Sequence, residues 1–305
     1  MSTPAGYPVT VIGGYLGAGK TTLVNHLLRA ANGRRLAVLV NEFGDLAIDA
    51  SLIEADDGDM ISIAGGCICC SYGSDLMAAL MELPQRLPDM DAVIVEASGV
   101  ALPGGIVSAL TLLPEYVLDA VVVLADAETI RTRASDRYLA DTIRRQLTDA
   151  DLILLNKMDL VGSAALQELR DWLGAEVPHA RVVAASHANV PPQTLLGIGA
   201  SSRVQAGDGT HFEADGFMTL SFNPDARFDL DALGEALAAP DSGVIRAKGF
   251  LLNVAGELCT LHVVGSRFAV SSAPNGAAPA FVCIGMSGVL EVEHVNELLA
   301  GPGAA

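Results

Sequence analysis

From Val9 to about Ala185 the chain alternates short apolar runs with amphipathic stretches of helical length. The runs are VTVIGG near the start, LAVLVN at 36–41, MISIA at 60–64, AVIVEAS at 92–98, DAVVVLADA at 119–127, DLILLN at 151–156 and RVVAAS at 181–186. Runs with no polar alternation suit strands buried on both faces, so the pattern predicts an α/β domain with a mostly parallel sheet and flanking helices. Ligands in such sheets sit at the carboxyl ends of the strands.

Around 199–214 the pattern lapses into GASSRVQAGDGTHFEA, read as a linker between a first domain at 1–198 and a second at 215–305. The second segment carries FMTLSF, a helical stretch from Leu230 to Ala238, the strand-like runs GVIRAKGFLLNV, LCTLHVVG, RFAVSS and AFVCIG, and a last amphipathic stretch from Glu291 to Leu299. These predict a smaller α+β domain with an antiparallel sheet, followed by a frayed tail GPGAA.

Composition adds exclusions. Of 305 residues 36 are Asp or Glu and 18 are Lys or Arg, a net charge of -18, and only three of the basic residues are Lys: Lys20, Lys157 and Lys248. No stretch gathers the cations that neutralise a phosphate backbone or an anionic membrane, so neither nucleic acid nor membrane is expected as a partner. The start lacks the features of a signal peptide and no run reaches about 18 apolar residues, which predicts a cytoplasmic protein. Five cysteines, three of them in Cys67-Ile68-Cys69-Cys70, do not make a disulfide framework in such a compartment.

Residues 14–21, Gly14-Tyr-Leu-Gly17-Ala18-Gly19-Lys20-Thr21, fit G-x-x-x-x-G-K-[ST] between the first strand and a helix. The glycines let backbone N–H groups curl around a β-phosphate at the positive end of a helix dipole, Lys20 reaches β and γ oxygens, and the Thr21 hydroxyl ligates Mg²⁺. At this composition the pattern arises by chance at roughly 10⁻⁵ per position, so a nucleotide is expected.

Asn156-Lys157-Met158-Asp159 ends the sixth run. A carboxylate at Asp159 matches the two donors on guanine N1 and N2, whereas adenine offers an acceptor there, so GTP is favoured over ATP. Asn156 and the stem of Lys157 would brace the loop and cover the base. The competing use of Asn156 or Asp159 is to cap the helix predicted at 163–173.

Glu96 ends the fourth run and is followed by Gly99, the arrangement of an acidic residue near Mg²⁺ and a glycine near the γ-phosphate. The segment Asn41-Glu42-Phe43-Gly44-Asp45, with Asp49 beyond, also follows a strand and has the character of a switch; Glu42 or Asp49 would hold the metal-bound or hydrolytic water. Cys67, Cys69 and Cys70 follow the third run and precede a helix near Ser74, whose N-terminus favours thiolate. Three soft ligands with an open fourth position suit transfer of Zn²⁺ or Cu(I); the alternatives are buried packing and a redox role. Cys259 and Cys283 read as core residues of the second domain, the six histidines form no cluster, and His211 is the one linker candidate for an auxiliary ligand.

Together GGYLGAGKTT, VNEFGDLAID, GGCICC, EASG, NKMD and RAKGF resemble the CobW family of metal-insertion GTPases over nearly the whole chain. The resemblance implies a P-loop NTPase fold and a slow GTPase that binds Zn²⁺, in some members Co²⁺, at the cysteine motif and delivers it to a client metalloprotein. It implies that Gly17, Gly19, Lys20, Thr21 and Thr22 hold phosphates and Mg²⁺, that Glu42 and Glu96 lie at the catalytic end, and that Asn156 and Asp159 read guanine. A nucleotide- or metal-dependent homodimer is compatible with it. Three features depart from the family: only His211 stands where many members carry a histidine tract, Ser71-Tyr72-Gly73-Ser74 lacks the usual Arg, and Val100-Ala101-Leu102-Pro103 replaces Ala-Asp-Pro after Gly99. The expected mechanism is a GTP-gated metallochaperone in which ordering of 41–49 moves the cysteine loop. The alternatives are a GTP-dependent assembly factor that carries no metal and a small-molecule kinase.

Overall fold

Each of the seven apolar runs forms a strand in the computed structural model, which describes residues 6–31, 33–41, 60–63, 74–196, 210–214 and 216–300. Two compact units divide the chain, Met1–Leu196 and Gly197–Ala305. In the first, β1 (Tyr7–Gly14), β2 (Leu36–Asn41), β3 (Met60–Ile63), β4 (Ala92–Glu96), β5 (Tyr116–Asp126), β6 (Leu152–Asn156) and β7 (Arg181–Ala184) form one sheet. Its order is β3-β2-β4-β1-β5-β6-β7 and every pairing is parallel.

The helices are α1 (Lys20–Arg29), α2 (Ser74–Arg86), α3 (Pro103–Leu110), α4 (Ile130–Arg133), α5 (Ala140–Thr148), α6 (Ser163–Glu176) and α7 (Pro192–Leu195). Val9, Val11, Val93, Val95, Val121, Val123, Ile153 and Leu155 point to one side of the sheet and pack with Leu80, Leu83, Ile106, Ile143 and Leu147 of the helices. Ile12, Val38, Ile94 and Val122, at the intervening positions, are buried as well. Burial of both faces is why the runs carry no polar alternation. Parallel pairing brings the strand ends together: Glu96 lies opposite Ile12 of β1 and Val40 of β2, and Asp126 opposite Asn156.

In the second unit β8 (Thr210–Ala214), β9 (Phe217–Phe222), β11 (Val244–Asn253), β12 (Leu258–Val264), β13 (Arg267–Ser272) and β14 (Ala280–Met286) pair antiparallel in the order β13-β12-β11-β14-β9-β8. The two-residue β10 (Arg227–Phe228) joins β11 in parallel. Leu233 and Leu237 of α8 (Leu230–Ala238), with Val295 and Leu299 of α9 (Val292–Ala300), cover Leu251, Leu261, Val263, Phe281 and Cys283. Asp229 caps α8 by accepting from the Ala232 N–H.

The stretch read as linker is corrected at its end: 210–214, with His211, is a strand against β9, because the alternation Thr-His-Phe-Glu-Ala is short and hidden behind a Gly- and Ser-rich lead. Cys283 is core as expected, whereas Cys259 is half-buried and accepts a hydrogen bond from Asn253 Nδ2 at 3.7 Å. Lys248 is half-buried opposite His262, and the neighbouring Arg246 is fully buried with Nη2 3.1 Å from His262 Nε2.

Candidate functional site

The loop between β1 and α1 is built from its glycines. Gly19 holds φ at 106° as the residue preceding α1, and a Cβ there would meet Asn156 Nδ2 at 2.5 Å. Conformation and space both restrict the position to glycine. No side chain caps α1 and no acidic residue occupies its first turn, while His26 and Arg29 stand in its last. The first amides and the positive end of the dipole are thereby left to an anion. Lys20 is the first residue of α1 and is buried, and the Thr21 hydroxyl donates to Glu96 Oε1 at 3.3 Å. Thr22 follows in the same turn and is exposed. Two oxygen donors 75 residues apart in sequence, one from the helix and one from a buried strand end, thus meet beside the loop.

Asn156 ties three loops. Its Nδ2 donates to the Ala18 carbonyl at 2.9 Å, and its Oδ1 accepts from the Ala188 N–H at 2.8 Å. Neither it nor Asp159 caps α6: Gly162 stands at that N-cap without a side-chain bond. Lys157 takes a left-handed φ of 62°, and its Nζ donates to Asp126 Oδ2 at 2.8 Å. The ion pair fixes the lysine stem, and Asp126 is only 5% exposed. Asp159 is exposed on the short 3₁₀ turn Met158–Leu160. The Met158 N–H donates to the Ala185 carbonyl, joining this turn to the loop after β7, where His187 and Ala188 also hold positive φ, 55° and 54°. Consecutive non-glycine residues in the left-handed region cost energy that the bond from Ala188 to Asn156 helps to repay.

Of the residues singled out in the sequence, Gly14, Gly17, Ala18, Gly19, Glu96, Asn156, Lys157 and Asp159 lie on the strand ends and the turns that follow them at the carboxyl edge of β1, β4 and β6, and Lys20, Thr21 and Thr22 open α1 beside them. Glu42, Asp45, Asp49, Cys67, Cys69 and Cys70 lie outside the described residues. The strands before them are adjacent: Asn41, the last residue of β2, is the partner of Ile63, the last of β3. Sequence reasoning missed Asp126, which carried the same signal as Glu96, an acid closing a buried apolar run. It also missed the loop Ser186–Asn189, which has no motif in composition. Arg133, in the short helix α4 after β5, donates from Nη1 to the Leu16 carbonyl at 3.0 Å and lies 4.9 Å from the Tyr15 ring centroid. It braces the phosphate loop from outside.

A parallel sheet with a glycine-shaped phosphate loop at its central strand and a separate antiparallel unit define a P-loop GTPase of two domains. Residues 8–184 match the family described as CobW/HypB/UreG, nucleotide-binding domain, and residues 217–301 match the cobalamin synthesis protein cobW C-terminal domain. The chain belongs to this CobW family of P-loop GTPases. It is 34% identical over 315 residues to the zinc chaperone CobW of Pseudomonas aeruginosa, covering 88% of this chain and 83% of that one. It is 31% identical over 306 residues to a zinc chaperone CobW from Sinorhizobium, covering 85% and 86%. The solved Zn(II)-bound YjiA GTPase from Escherichia coli is 24% identical, over 97% of this chain and 98% of that one, with a TM-score of 0.48. Among the described residues no helix is long and apolar enough to cross a membrane.

Proposed function

We propose that this chain is a GTP-driven metallochaperone that takes up Zn²⁺ at Cys67, Cys69 and Cys70 and hands it to a client metalloprotein. The observation that carries this is the adjacency of β2 and β3. The segment with Glu42 follows Asn41 of β2 and the segment with the cysteines follows Ile63 of β3, its direct partner in the ladder, and only β4 stands between β2 and β1, which leads into the phosphate loop. Ordering of one segment by a γ-phosphate would therefore act on the neighbour of the other. The names of the relatives, zinc chaperones over most of their length, point the same way.

Within this reading Gly14, Gly17, Ala18, Gly19 and Lys20 bind the phosphates, and the uncapped N-terminus of α1 supplies amide donors. The pairing of the Thr21 hydroxyl with the Glu96 carboxylate suits a hard cation, and these two residues, with Glu42, would hold Mg²⁺. Bound Mg²⁺ neutralises charge on the β and γ phosphates. Asp159, exposed on its turn, accepts from guanine N1 and N2, while Lys157, held by Asp126, covers the base. Asn156 keeps the base loop in register with the phosphate loop.

The test is an equilibrium zinc competition between the wild type and the triple variant Cys67→Ser, Cys69→Ser, Cys70→Ser. High-affinity zinc in the wild type alone is expected. Equal affinity in both would remove the metal role and leave a GTP-dependent assembly factor.

A further inference from the structure

The buried face of α5 reads Ile143, Gln146, Leu147, and the amide at its centre is 1% exposed. Spacing of this kind puts an apolar side chain at all three positions in a helix that only packs. A polar group there is costly unless fully bonded. Gln146 Nε2 uses both of its N–H groups, donating to the Gly99 carbonyl at 3.1 Å and to the Ala101 carbonyl at 2.8 Å. One turn on, Asp149 Oδ2 accepts from the Gly104 N–H at 2.8 Å, at the start of α3, whose N-cap Leu102 supplies no side-chain cap. The stretch from Gly99 to the start of α3 is thus hung on α5.

That stretch lies against the phosphate loop. A Cβ on Gly99 would meet Leu16 Cδ2 at 2.5 Å and the Leu16 backbone nitrogen at 2.8 Å. The Ala97 N–H donates to the Ile12 carbonyl at 2.8 Å, which fixes the first residue after Glu96 to β1. Between that bond and α3, the two bonds from Gln146 set the height of Gly99 over Leu16. Leu16 is in turn held from outside by Arg133.

We infer that Gln146 is a positioning residue for GTP hydrolysis: through the Gly99 and Ala101 carbonyls it holds the loop after Glu96 at a fixed distance from the phosphate loop. It touches neither nucleotide nor reacting atoms. Its effect falls on the transition state because displacement of a loop by a fraction of its contact distance misaligns groups that must converge on the γ-phosphate. Nucleotide binding rests on the loop at 14–21 and is left in place. The inference relies on the phosphate-loop assignment above, and Lys20→Ala tests that assignment separately through loss of nucleotide binding.

The experiment compares Gln146→Met, of equal length without donors, and Gln146→Asn, which keeps the amide but reaches one carbonyl, with the wild type. Single-turnover GTP hydrolysis, the Kd of a fluorescent GDP analogue and the melting temperature are read on each. The expected result is a fall in the hydrolysis rate of roughly tenfold for Gln146→Met and less for Gln146→Asn, with Kd within about threefold of wild type. If Gln146→Met is not folded at 25 °C, Gln146→Asn decides. A hydrolysis rate within twofold of wild type in the folded variant overturns the inference, and so does a fall in rate matched by an equal loss of nucleotide affinity.

Discussion

Asn156 Nδ2 donates to the Ala18 carbonyl across 138 residues of sequence, joining the end of β6 to the phosphate loop. With its Oδ1 occupied by the Ala188 N–H, one buried amide spans the phosphate loop, the end of β6 and the loop after β7. Asn156→Ala leaves the Ala18 carbonyl and the Ala188 N–H without this partner, which costs about 1–3 kcal/mol for each buried group left unsatisfied. Urea unfolding should show that loss, together with weaker GDP binding; an unchanged unfolding midpoint would show that the tie is not needed.

Gly19→Ala combines a forbidden φ with a 2.5 Å approach to Asn156 Nδ2. The loop must open, whereas the added Cβ meets the core only at Leu124 Cδ2, 3.7 Å away and an ordinary contact, so the sheet stays folded. Far-ultraviolet circular dichroism is expected to match wild type while fluorescent GDP binding is lost. Binding within about threefold of wild type would contradict the loop geometry.

Asp159→Asn exchanges an acceptor pair for one acceptor and one donor. Guanine presents two donors on this edge, so GDP affinity should fall at least about tenfold, and the ratio of xanthine to guanine nucleotide affinity should rise, because xanthine replaces the amino donor with an acceptor. Calorimetric titration with both nucleotides measures the ratio, and an unchanged ratio would take Asp159 out of base recognition.

Burial, with smaller contributions from Tyr7 and Glu115, pushes the Tyr116 phenol above its ordinary value of 10.0, and its hydroxyl donates to the Leu80 carbonyl at 2.6 Å. Burial alone pushes the Cys283 thiol above 9.0. Both groups keep in the folded state a proton that the unfolded chain releases, so their contribution is complete below those values and is lost as pH rises. Tyr116→Phe should therefore be less stable than wild type at pH 8, and the gap should narrow above pH 10. Denaturant midpoints between pH 8 and 11 give the gap directly, and a gap that widens would contradict the assignment.

The strands of the first unit were legible because those at the centre of the sheet are buried on both faces and leave unbroken apolar runs, and Lys20, Thr21, Glu96 and Asn156 stand out as candidates because each closes or follows such a run. Three things were not. β8 at Thr210–Ala214 is an edge strand of five residues whose pairing with β9 is set by tertiary contact, and nothing in its composition separates it from the Gly-rich segment before it. Gln146 looks like an ordinary helix residue until the carbonyls of Gly99 and Ala101 are seen beside it. Asp126 was readable as an acid at a strand end, but its partner Lys157 is 31 residues away, and the sequence offers that lysine only as a brace for its own loop and a cover for the base.

The central claim is that nucleotide state and zinc affinity are coupled through the neighbouring ends of β2 and β3. The direct measurement is the zinc Kd of the wild type saturated with Mg²⁺ and GDP against the same protein with Mg²⁺ and a non-hydrolysable GTP analogue. The account predicts values that differ at least about tenfold, and linkage requires zinc to shift the relative affinity for the two nucleotides by the same factor. Equal zinc affinities in the two states would contradict it.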